Sequence, residues 1–111
     1  MIVFSTLGPN GTVGGGLGRA SHAAVASVSN GRIESWEEHE VGWDRLHDEG
    51  AEGAHHARIV RFLREHGVEV VVARGMGPGM QRTLGSMGVR SVIGVEGDAR
   101  EAVIAAANPP A

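Results

Sequence analysis

The chain has no cysteine, no lysine and no tyrosine. Without thiols it can form no disulfide, no thiolate zinc centre and no self-ligated iron–sulfur cluster. Its ten bases are all arginine, against thirteen acids, for a net charge of −3. That balance, with no basic cluster, makes a poor general nucleic-acid binder, whose affinity comes from many phosphate contacts. Long apolar runs are missing too. None approaches the ~20 residues that span a bilayer, and no basic stretch followed by an apolar run opens the chain. The expectation is a soluble cytoplasmic protein with neither nucleic-acid nor membrane partners.

A length of 111 residues allows one domain. It is predicted over residues 1–107, with Asn108 to Ala111 as a flexible tail. Charge is spread unevenly. Glu34 to Glu52 holds eight acids and one base, Arg45, which leaves five acids and nine arginines elsewhere. Those arginines are available to surround a small anion.

"MIVFSTLG" reads as a first strand, closed by Gly8-Pro9. "GPNGTVGGGLGRA" is a loop with six glycines. It does not satisfy GxGxxG, and no Lys-Ser/Thr follows to make a phosphate loop. Asn30-Gly31 lies between two extended runs, the strongest short signal for an antiparallel hairpin. The second of these runs, Arg32 to His39, alternates weakly, as an edge strand with one wet face does. A charged connector follows, with Trp43, Leu46 and Ala51 as its anchors. "EGAHHARIVRFLREHG" is predicted helical, ending at Gly67 as a C′ glycine. "VEVVVA" is a strand buried on both faces. "RGMGPG" turns into a helix with Pro78 at its first position, and "MQRTLGSM" continues that helix. "VRSVIGV" is a last strand, and "DAREAVIAAA" a last helix opened by Asp98 and Glu101 as a capping box.

Right-handed crossovers then give a mixed five-stranded sheet of order 3-2-1-4-5, with strand 2 antiparallel and about three helices. Ligands in such sheets bind at the carboxyl ends of the strands. One rim would collect Gly16, Gly18, Arg19, His22 and Arg74, the turn Gly77-Pro78-Gly79, and the helix start bearing His55 and His56. Helix N-termini there favour an anion. On a helical wheel His56 shares a face with Ile59, Val60 and Leu63 and should look inward over the rim. His55 falls near Phe62 and His66 and should look to solvent or to the acidic connector. Met76 and Met80 read as packing residues.

Catalysis has little support. Ser21 and His22 adjoin, but neighbours on a strand point to opposite faces, and no carboxylate is placed to complete a triad. No pair of acids stands at the rim strands' ends. No HExxH or spaced zinc pattern occurs. His39, His47 and His55 recur every eight residues along the acidic segment, which raises a divalent-metal buffer or sensor as an alternative. An assembly domain pairing through the edge strand Arg32 to His39 is a further one.

"LGRA" (Leu17 to Ala20), "EGAHHARIVRFLREHGVEVVVARGMGPGM" and the closing "GV…V…G" with its helix resemble, in order and spacing, the dinitrogenase iron–molybdenum cofactor biosynthesis family. The resemblance spans about residues 1–106. Leu17 stands where that family has Phe, and Gly79 where its "GPNA" turn has Asn. The resemblance implies a ribonuclease-H-like α/β/α fold. It also implies a non-enzymatic carrier of an anionic metallocluster or its precursor, an iron–sulfur or molybdenum-containing cluster. Its cleft would fall on Arg19, His22, His55, His56, Gly77 and Pro78. At the rim Arg19, Arg74 and the two helix starts would hold charge, and His56, with His22 or His55, would coordinate a metal. Partners would be the cluster and a donor or recipient protein, for a monomer or weak homodimer.

Overall fold

The computed structural model describes residues 1–47 and 53–108. Its sheet contains β1 (Ile2–Leu7), β2 (His22–Ser29), β3 (Arg32–Glu40), β4 (Val70–Val72) and β5 (Arg90–Val92), in the order β3-β2-β1-β4-β5. β2 is antiparallel to β1 and β3, while β1, β4 and β5 run parallel. The expected topology therefore holds. The helices are α1 (Trp43–Leu46), α2 (Ala54–Glu65), α3 (Pro78–Ser86) and α4 (Ala99–Ala107). α1 is a single turn inside the connector that sequence periodicity did not reveal.

Strand alternation divides the core into two layers. Phe4, Ala23, Val25 and Val71 face one way and pack with Trp43, Ile59, Leu63 and Leu84 of the helices. Val3, Ala26, Val70 and Val72 face the other way and pack with Ala99 and Val103 of α4. The sheet is the middle of three layers, which is why β1 and β4 are buried on both faces and lack polar alternation.

The β2–β3 hairpin turns at Asn30 and Gly31, with φ of 53° and 73°. Positive φ at both central residues is what a type I′ turn requires. The ladder slips once: Ser27 pairs with Ser35 but Val28 pairs with Ile33, so Glu34 is a bulge. The extra residue brings Ile33 and Trp36, three apart, onto the same α4-side cluster. The simple alternation read from sequence put them on opposite faces; the bulge corrects it. Arg100 of α4 sits 4.4 Å over the Trp36 ring.

Trp43 anchors the connector as expected, 2% exposed. It stacks on Phe4 and meets Phe62 edge-on at centroid distances of 5.9 and 5.6 Å. Leu46 packs against the same cluster. The third expected anchor, Ala51, lies outside the described residues, as do the helix start at Glu52 and the tail beyond Asn108. In α4 the Asp98 carboxylate accepts the Glu101 N–H at 2.9 Å, the N-cap half of the capping box.

Candidate functional site

Three backbone segments meet above the carboxyl ends of β1 and β4. The glycine loop runs back over β1, where Gly14 N–H reaches Thr6 O at 3.0 Å. It then pairs with the turn after β4. Leu17 N–H donates to Gly75 O (3.0 Å), Arg74 N–H donates to Gly15 O (3.3 Å), and Gly16 and Gly75 form a parallel bridge. The short turn Leu17–Arg19 is fixed by its own Leu17, 1% exposed in the core below. The starts of α2 and α3 complete the rim.

Between them lies a cleft of about 360 Å³, lined by Leu17, Gly18, Gly53, His55, His56, Ile59, Met76, Gly77, Gly79 and Met80. Among the described residues no carboxylate lines it. The first-turn N–H groups of a helix have no partner within the helix. In α3, Pro78 has no N–H and Gln81 N–H reaches Gly77 O, so Gly79 and Met80 supply the open amides. Two helix N-termini at its edge, those of α2 and α3, favour an anion there.

The two histidines have different partners. His55 Nε2 lies 2.7 Å from Gly18 O, and its Nδ1 lies 2.8 Å from Arg58 Nη1. A carbonyl can only accept and a guanidinium can only donate. His55 is thus neutral, protonated on Nε2, with its one lone pair taken by Arg58. Arg58 also donates to Leu46 O at 3.2 Å. His55 is a strut that ties the Gly18 turn to α2 and α1. Its wheel position had pointed it to solvent or the connector. Its ring does lie 6.5 Å from that of His47, but the loop folding over α2 captures it on the cleft side. His55→Ala should cost about 1–3 kcal/mol, because Gly18 O and the Arg58 guanidinium lose a half-buried partner. Urea unfolding of the two proteins measures it.

His56 also lines the cleft. Its Nε2 is 3.4 Å from Thr83 Oγ1. A Cβ built on Gly79 would stand 3.9 Å from its Cε1. No protein group bonds its Nδ1 among the described residues. His56 is therefore the cleft imidazole with a lone pair to offer.

The remaining expected residues separate into two groups. Gly18, Gly77 and Gly79 line the cleft, and Gly16 stitches its wall. Pro78 starts α3 from the exposed side. Arg19 is exposed at the end of its turn and makes no ion pair among the described residues. Arg74 is committed to Glu96 at 2.9 Å, so its charge does not stand free over the rim. His22 does not join the others. Ala23 faces the α2 side, so His22, its neighbour on β2, projects to the opposite face. There it bonds Ser21 Oγ at 3.0 Å and lines a separate depression with Leu7, Gly8 and Glu38. The structure thus places His55 and His56 together at the cleft and His22 apart from them, and both ring nitrogens of His55 already have partners.

The connector histidines do not converge either. The His39 ring packs edge-on against Phe62 and His66, and its buried Nε2 lies 3.4 Å from Glu37. Among the described residues no three or more His, Cys, Asp or Glu side chains are grouped to hold a metal ion. Residues that sequence reasoning missed are Thr83 and Arg58. Thr83 follows Gly79 by four, so it shares that residue's helix face. Its contact with His56 depends on how α2 and α3 pack, which no local pattern encodes.

Fold and geometry together make a small three-layer α/β domain with a cleft at the carboxyl ends of β1 and β4, lined by two imidazoles. The family described as dinitrogenase iron–molybdenum cofactor matches residues 1–108, and the chain belongs to that family. The chain is also similar in structure to the solved crystal structure of PH0822, with a TM-score of 0.69 and 21% identity. That match covers 92% of this chain and 82% of the other and reflects the fold. Among curated proteins none matches the chain.

Proposed function

We propose that this chain is a non-catalytic carrier of an anionic metallocluster or its iron–molybdenum–sulfur precursor. The observation that carries the reading is the cleft itself: two helix N-termini, no carboxylate among the described lining residues, and the His56 imidazole in one place. That donor set suits a preassembled anion held by backbone N–H groups and a single ligand. It suits a bare divalent cation poorly, since such an ion wants several protein donors. Arg19, exposed beside Gly18 and without an ion pair among the described residues, adds the charge that draws the cargo in. Cargo held by one imidazole and by N–H groups can also be released to a recipient protein without breaking a set of thiolate bonds.

Elemental analysis of protein purified without oxygen from its own host tests this. Iron or molybdenum with sulfide at close to one cluster per chain supports the reading. Metal-free protein that also fails to take up tetrathiomolybdate with Fe²⁺ sinks it. Gly79→Ala offers a second check. Its added methyl meets only ordinary contacts at the start of α3, so the fold should gain up to about 1 kcal/mol. The same methyl stands over His56 and narrows the cleft, so binding of the probe should weaken. Thermal unfolding and probe titration read the two effects separately.

A further inference from the structure

We infer that Thr83 is a positioning residue that selects the nitrogen through which His56 binds its cargo, leaving Nδ1 as the ligand atom. The inference rests on the carrier reading above. It comes from the order of donors along one short chain of contacts.

Thr83 Oγ1 lies 3.0 Å from Gly79 O, one turn back along α3. A carbonyl only accepts, so the single hydroxyl proton of Thr83 goes there. Toward His56, 3.4 Å away, Oγ1 then has only lone pairs to offer. The complementary partner is an Nε2–H. Neutral imidazole carries one N–H, so Nδ1 is left deprotonated. Nδ1 has no protein partner among the described residues. It is not buried either, since His39 Nε2 is the buried unpartnered side-chain atom found among them. The arrangement is that of a ligating histidine whose second nitrogen is held by an outer partner, which fixes both tautomer and ring orientation. Neighbouring His55 shows the contrast, because both of its nitrogens are already bonded.

Thr83→Val keeps the branched shape and removes the acceptor; Thr83→Ser keeps the acceptor. Long-range proton–nitrogen NMR on the full chain reads the tautomer directly. The wild type and Thr83→Ser should show His56 as a single species protonated on Nε2, and Thr83→Val a mixture. Titration with tetrathiomolybdate and Fe²⁺ should give a Kd raised about 10-fold in Thr83→Val and restored in Thr83→Ser. A wild-type His56 protonated on Nδ1, or a Thr83→Val protein with unaltered tautomer and Kd, overturns the inference. A tautomer that responds as expected in a protein that never binds the probe supports Thr83's hold on the imidazole and removes the carrier reading instead.

Discussion

Gly14→Ala is expected to lower the unfolding free energy by about 3 kcal/mol, while Gly15→Ala, one residue on, should change it by no more than about 0.5. The difference is steric. A Cβ on Gly14 would stand 2.8, 2.9 and 3.0 Å from the backbone C, O and N of Leu7. Those atoms belong to β1, a central strand, and cannot turn aside as a side chain would. The loop must lift instead, and it then loses the Gly14–Thr6 bond that sets its height. At Gly15 nothing lies within 4 Å. A loss of that size in a domain this small moves the melting temperature by about 10 °C or more. Calorimetry of the pair checks it; equal melting temperatures would mean the loop is not seated on β1. Because the same loop carries Gly18 into the cleft, Gly14→Ala should also weaken cargo binding more than Gly15→Ala.

His56→Ala should leave the fold in place and raise the Kd for tetrathiomolybdate with Fe²⁺ by about 100-fold. Removing an outer partner of a metal ligand already costs 10–100-fold, and here the ligand itself is lost. His56 is half-buried and its one polar contact is long, so its removal leaves Thr83 bonded to Gly79 and costs little stability. His55→Ala should show the opposite pattern: a measurable loss of stability, and a binding defect that follows from the displaced Gly18 turn. Titration and chemical unfolding of both variants separate ligand from strut. Equal binding losses with equal destabilisation would contradict the assignment.

Much of the architecture was legible because its signals are local. Asn30-Gly31 sets a turn by its own backbone preferences, Asp98 caps the helix that follows it, and the run at Val70 to Val72 marks a strand covered on both faces. Chain direction then put the glycine loop and both helix starts at one rim. What escaped was non-local or depended on one residue. The Glu34 bulge puts Ile33 and Trp36 on one face, and a single extra residue leaves no periodic trace. His22 starts β2 as expected, but which face it takes depends on the sheet's packing, and it lines a depression apart from the cleft. The wheel gave the azimuths of His55 and His56 but not their partners. Gly18 O, Arg58 and Thr83 decide which imidazole is spent and which is free, and two of those reach α2 from other parts of the chain.

Amide chemical-shift mapping under anaerobic conditions, with tetrathiomolybdate and Fe²⁺ added stepwise to the intact protein, tests the cleft most directly. The largest shifts should fall on Gly18, His56, Gly77, Gly79 and Met80, and should shrink in His56→Ala. Shifts centred on the His22 depression or along β3, with those five amides unmoved, would contradict the account.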